Sequence, residues 1–161
     1  MILPNRYLPT LVLSLALTTL AGTAHTADTG LITKPSKYPI QETIERFEAA
    51  VKAKAAVGFR VFARIDHASA AKEAGLDMRP RTVIVFGNPK LGTPVMIKTP
   101  SLAIDVPPKA LVWEDDSGKV FLSYNSAEYL YGTIYPRHGL QVPPPEALAR
   151  VLNEMSDYAT K

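Results

Sequence analysis

The chain has 161 residues, 47% of them hydrophobic and 20% charged, with a formal net charge of +3 and no cysteine. That is a globular composition, long enough for one ordinary domain and one core, and it excludes a disordered or fibrous chain. The missing cysteine excludes disulfides, thiolate metal sites, lipid anchoring or covalent haem attachment through cysteine, and a cysteine nucleophile.

The first stretch reads as an address rather than as fold. Arg6 is its only charged side chain, Leu11 to Leu20 is an apolar core, and Ala21-Gly22-Thr23-Ala24 supplies small residues. This is the layout of a secretory signal peptide over 1–24 with cleavage after Ala24, and the apolar run is short for a membrane span of about 20 residues. Residues 25–161 are then expected to form a single periplasmic domain, soluble and free of the membrane once the signal is cleaved. Removing 1–24 takes away one of the 18 basic residues and none of the 15 acidic ones, leaving a formal charge of about +2. Acidic and basic positions are mixed, so nothing supports a nucleic-acid partner.

Along the mature chain, Leu31 to Lys34 reads as a short strand. Ile40, Ile44, Phe47 and Val51 then recur at spacings of three and four, which predicts an amphipathic helix with Pro39 in its first turn and Gly58 at its end. Phe59 to Asp66 alternates as a half-buried strand, with Phe59, Val61, Ala63 and Ile65 on one face and Arg60, Phe62, Arg64 and Asp66 on the other. An Ala-rich helix from His67 to Ala74 follows, closed by Gly75. Arg81 to Phe86 is nearly continuous in apolar residues and suits a central strand covered on both faces. Gly87 to Pro94 reads as a loop, with Thr93 capping a helix that Pro94 opens and Pro100 breaks. Lys109–Glu114 and Val120–Tyr124 predict an antiparallel hairpin around Asp115 to Lys119. Asn125 with Glu128 starts a short helix ended by Gly132, and Leu148, Val151, Leu152 and Met155 mark a terminal helix. The expected fold is α+β, a two-layer sandwich of a small mixed or antiparallel sheet with packed helices.

Several blocks in this order carry a resemblance: Phe62-Ala63-Arg64-Ile65-Asp66-His67-Ala68, Phe86-Gly87-Asn88-Pro89-Lys90 with Gly92-Thr93-Pro94, Leu111-Val112-Trp113-Glu114-Asp115, and Ser123-Tyr124-Asn125. They resemble the bacterial domain-of-unknown-function 302 family over roughly residues 40–140. The resemblance implies a small α+β domain that tends to pair into homodimers, often as a stand-alone exported protein. It implies no reaction and therefore no catalytic residues. Tyr131 to Pro136 departs from the plain helix that the family pattern leads one to expect before His138.

The residues offer few sites. Asp66 suits the N-cap of the following helix, with His67 at the first helical position. The same corner supports a functional reading, because a neutral imidazole at His67 can ligate a metal or haem iron or accept a proton. His138 is the second metal-ligand candidate, although a lone His beside Gly is more often a packing residue, and no His pair has the i, i+4 spacing of a helical metal site. Gly87 and Gly92 have the glycine spacing of a phosphate loop, but Thr93 stands where a Lys is needed and Pro89 and Pro94 remove donors. What survives there is a weaker contact from Lys90 and the Gly92 N–H to a small ligand. Ser69, Ser101, Ser117, Ser123 and Ser126 show no G-x-S-x-G elbow and no recognisable partner pattern.

These readings converge on a dimeric periplasmic module that binds a small molecule, with haem or a metal ion as candidate cofactor, near Phe62, Asp66, His67, Lys90 and Gly92. The alternatives are a small enzyme using His67 and Asp66 in acid–base chemistry, or a protein-interaction domain without a ligand.

Overall fold

In the computed structural model, residues 29–144 and 146–161 are described. The signal peptide expected over 1–24 and the mature start near His25 lie outside them. Five strands, β1 (Leu31–Pro35), β2 (Arg60–Asp66), β3 (Arg81–Gly87), β4 (Lys109–Glu114) and β5 (Val120–Asn125), pair in the order β1-β5-β4-β3-β2. Every pairing is antiparallel. The helices are α1 (Ile40–Ala53), α2 (His67–Glu73), α3 (Pro89–Lys98), α4 (Ala127–Tyr129), α5 (Tyr135–Arg137) and α6 (Glu146–Thr160). The fold is an α+β sandwich of two layers, as the order of sequence patterns implies. No helix among the described residues is long and apolar enough to cross a membrane.

α1 and α6 form the helical layer. The α1 stripe buries Ile44, Phe47 and Val51, and α6 buries Leu152, Met155 and Ala159. They close over Ile84 and Phe86 of β3, Ala110 and Val112 of β4, and Leu122 and Tyr124 of β5. Phe47 meets Phe86 edge-on, with ring centroids 5.1 Å apart, the arrangement the aromatic quadrupole favours. At the sheet's outer edge Lys34 of β1 donates to Asp157 Oδ1 at 2.6 Å, Asn153 Oδ1 at 2.6 Å and Ser156 Oγ at 2.7 Å, clamping β1 to α6.

Sequence expectations are corrected at β2, at β3, at the start of α3 and at the helix that follows β5. β2 is the edge strand beside β3 and is mostly exposed rather than half-buried, and its register slips between Val61 and Ala63, leaving Phe62 without a partner on β3. That bulge reverses the alternation. Val61 lies beside Phe86 on the core face, but after the bulge it is Arg64 that lies beside Ile84, and its guanidinium donates to Gln41 Oε1 of α1 at 3.0 Å. Ala63 and Ile65 turn to the other face, leaving Phe59 9% exposed and Ile65 46%. Among the described residues, β3 is covered by helices on one face only: Thr82, Ile84 and Phe86 are buried, while Val83 and Val85 are half-buried.

The predicted loop after β3 is instead the start of α3. Asn88 caps it, its Oδ1 accepting from the Lys90 N–H at 3.0 Å, so Pro89 takes the first helical position and Pro94 falls inside. The helix predicted to end at Gly132 continues. Ser126 caps α4, a widened π turn spans Leu130–Ile134, and α5 runs on to Arg137. Gly139, with φ of 77°, then takes the left-handed conformation that stops it.

Candidate functional site

Antiparallel pairing of β2 with β3 decides which residues meet. Arg60 lies opposite Gly87 and Asp66 opposite Thr82. The α3 end of β3 therefore adjoins the beginning of β2, about 20 Å along the strand from Asp66 at roughly 3.3 Å per residue. Phe62 and Gly92 share one site, whereas Asp66 and His67 stand at the far end, exposed. Lys90 is exposed in the first turn of α3 and does not line that site.

The site is a cavity of about 180 Å³ between the start of β2, α3 and the π turn. Phe59, Phe62, Met96, Tyr131, Tyr135 and Leu148 form much of its wall. Gly87 permits the close approach on which this wall depends: a Cβ there would lie 3.3 Å from Pro107 Cβ and 3.7 Å from Phe62 Cε2. Phe62 reaches the cavity because of the bulge. Asn88 also lines the cavity, and its Nδ2 donates to the Val57 carbonyl at 2.8 Å. Gly58, with φ of 102°, passes against Asn88, where a Cβ would come within 2.7 Å of Oδ1.

The polar side chains that line the wall are those of Asn88, Thr93, Tyr131 and Tyr135. The Tyr131 and Tyr135 rings lie 4.3 Å apart. Burial, and then the neighbouring Tyr135 hydroxyl, push the Tyr131 phenol well above its ordinary range. Tyr131 is therefore a neutral O–H throughout the physiological range, able to donate but not to act as a phenolate.

His67 and His138 are not brought together. His67 opens α2, where the Asp66 carboxylate accepts from the N–H groups of Ala68 at 3.0 Å and Ser69 at 3.1 Å. His138 follows α5 and has hydrogen-bond partners of its own: its Nε2 lies 2.7 Å from Asp105 Oδ2 and its Nδ1 2.9 Å from Ser101 Oγ. Among the described residues no group of three or more His, Asp or Glu is arranged to hold a metal ion. Haem fits no better, since His67 is absent from the cavity wall and about 180 Å³ is close to the volume that holds a single benzene ring. Sequence reasoning missed Met96, Tyr131, Tyr135 and Leu148, which join the wall from four places along the chain.

Comparison with known proteins bears on the fold and the family. A crystal structure of an uncharacterized conserved DUF302 protein from Bacillus stearothermophilus superposes with a TM-score of 0.57 at 20% identity, covering 81% of this chain and 93% of that one. Fluoride-specific ion channel FluC 1 of Brucella suis biovar 1 (strain 1330) is 47% identical over 103 residues, 64% of this chain and 39% of its own length. Fluoride-specific ion channel FluC 2 of Brucella melitensis biotype 1 is likewise 47% identical over 103 residues, which are 37% of its length. The chain thus spans under two-fifths of the channel proteins it matches. Residues 32–157 match the family described as Domain of unknown function DUF302. With that match over most of its length, the chain belongs to the DUF302 family.

Proposed function

We propose that this is an exported binding module for a small, neutral, largely apolar molecule of about one aromatic ring, held in the cavity between β2, α3 and the π turn. The single observation that carries this reading is the cavity itself, apolar in its walls, with the Tyr131–Tyr135 pair as hydrogen-bonding groups. Apolar lining with a few placed polar groups is the usual character of a small-molecule site. A neutral phenol favours a ligand with one acceptor, such as an aldehyde or ketone. Benzaldehyde and toluene, alike in size, separate the contributions of shape and hydrogen bonding. Both are expected to shift the Met96 methyl resonance saturably. Tyr131→Phe should weaken benzaldehyde about two- to tenfold, the loss of one neutral hydrogen bond, and leave toluene unchanged. No saturable shift with either compound would remove the reading. Export is tested separately by N-terminal sequencing of the protein from its native compartment, with a start near His25 expected and an intact Met1 counting against it.

A homodimer accompanies this reading, and the uncovered face of the sheet supports it. Leu31, Val83, Leu111 and Trp113 line a groove there built from strand residues alone. Trp113 stacks on Phe121 with centroids 4.8 Å apart, and its indole N–H donates to Ser123 Oγ at 2.9 Å. Strand spacing and rise give this face roughly 20 Å by 20 Å, at the scale where an apolar patch is often an interface. A second copy can place the same patch against it about a twofold axis. Light scattering over a concentration series should give twice the chain mass, and a single-chain mass at high concentration would overturn the pairing. The channel-named Brucella proteins, which carry a similar segment inside longer chains, support a module that can also stand beside another activity.

A further inference from the structure

Ser101, Asp105 and His138 form a hydrogen-bonded array that the binding cavity does not use. Ser101 lies in the 3-10 turn Pro100–Ile104, Asp105 directly follows that turn, and His138 arrives from the end of α5. The imidazole is enclosed, its side chain 6% exposed, and Asp105 is 20% exposed. Ser101 is open to solvent.

The partners assign the ring's protons. An ionised carboxylate only accepts, so His138 Nε2 carries a proton and donates to Asp105 Oδ2 at 2.7 Å. In the neutral ring Nδ1 is then left as an acceptor, and the Ser101 hydroxyl, 2.9 Å away, is its donor. Asp105 is kept ionised: the His138 hydrogen bond first, and then the charges of Arg137 and Lys109, hold its carboxyl below the ordinary value of 3.8. Nucleophile, base and the group that orients the base thus stand in line. The ring nitrogens are used the other way round from the usual serine-hydrolase arrangement, which is chemically equivalent once one of them is held protonated.

We propose that Ser101 is an activated nucleophile with His138 as its general base, and that Asp105 is the positioning residue that fixes the ring. The substrate class is a carboxylic ester with a short apolar acyl group. Residues three apart on a 3-10 turn eclipse one another, so Ile104, 74% exposed, stands on the same side as Ser101 and offers the acyl chain an apolar contact. Ser101 Oγ attacks the ester carbonyl as its proton passes to His138 Nδ1. The bond to the leaving alkoxide breaks, and the alkoxide takes that proton. Water then attacks the acyl-serine, giving its proton to His138 and releasing the carboxylic acid, and the proton returns to Ser101 Oγ. No redox partner is required.

The chain's lack of cysteine makes a direct test available. A fluorophosphonate probe on the full chain should modify Ser101, located by peptide mass mapping, and Ser101→Ala should abolish the label without lowering the Tm. Ser101→Cys supplies the only thiol in the protein. Its alkylation by iodoacetamide at pH 7 should run at least about tenfold faster than that of Ser117→Cys at the hairpin tip. In Ser101→Cys combined with His138→Gln, folded by its thermal melt, that excess should disappear. An unlabelled Ser101 in the parent, or a Ser101→Cys thiol no faster than the hairpin control, would overturn the proposal and leave the three residues as a clasp between two turns.

Discussion

Asp66 holds two N–H groups of α2 through a single carboxylate oxygen, and this accounts for the Asp-His corner without any chemistry at His67. Asp66→Ala should therefore destabilise α2 by about 0.5–2 kcal/mol. α2 buries no residue, so the change should appear as faster amide exchange over 67–74 and only weakly in the global melt. His67→Ala should leave both nearly unchanged. A large loss of Tm in His67→Ala would show that the ring packs in a way its exposure does not suggest. Asp157 illustrates a charge with a structural role. Hydrogen bonds from Lys34 and then from Lys161 hold its carboxyl below the ordinary 3.8. A carboxyl whose folded value is depressed contributes stability above its unfolded value and loses it as pH falls through the folded one. Asp157→Asn should thus lower the Tm at pH 7, within the about 0.2–1 kcal/mol of a partly exposed pair. Parent and variant melting temperatures should converge as the pH is taken below about 3.8. A constant difference across that range would assign the effect to packing instead.

At the scale of elements, β2 and β3 contrast two phenylalanines close together in space. Phe86 is 1% exposed and meets Phe47, whereas Phe62 is 42% exposed and reaches the cavity from the bulge. Phe86→Ala should lower stability by about 3–5 kcal/mol in denaturant titration, from lost burial and the space left behind. Phe62→Ala should fall well below that and act mainly on toluene affinity. The reverse ranking would mean that the bulge, rather than the β3 core, holds the sheet. The bulge is also the reason the two ends of β2 differ in character. Before it the strand contributes to the core, and after it Arg64 reaches for α1 while Ile65 joins the open face.

At the scale of the molecule, the decisive asymmetry is that, among the described residues, helices cover one face of the sheet. The proposed pairing predicts that Leu111→Asp, in the middle of the uncovered face, yields a folded monomer in sedimentation, with little change in cavity binding. Leu111 is half-buried and its partners Val83 and Ser123 lie on that same face, so the substitution leaves the helical side untouched. A dimer that persists in this variant would move the interface elsewhere. Ser123 makes the face less uniform than its apolar neighbours suggest, receiving the Trp113 N–H and pairing with Thr33 Oγ1 at 2.8 Å. These bonds satisfy a hydroxyl that is already buried in the single chain, where Ser123 is 4% exposed.

Periodicity carries α1 and α6 because one buried stripe with a polar remainder has few other solutions, and it carries the β4–β5 hairpin because Asp115 supplies its own turn bonds to Ser117 and Lys119. The α+β class and the DUF302 resemblance follow from the same local patterns and their order. The bulge at Phe62 has no such mark, since one unpaired residue leaves a strand's composition unchanged while exchanging the faces beyond it. The α3 start at Asn88 was legible in principle as Asn-Pro, a cap followed by a first-turn proline, but the nearby Thr93-Pro94 carries the same local signal. The candidate site depended on pairing direction: antiparallel β2 and β3 bring Phe62 to Gly92 and carry Asp66 and His67 away from them. Ser101, Asp105 and His138 share no spacing motif, and only the packing of the α5 end against the 3-10 turn brings them within hydrogen-bonding distance. Local patterns are short-range chemistry and can be read along the chain, whereas a site assembled from distant segments depends on register and packing, to which every element contributes.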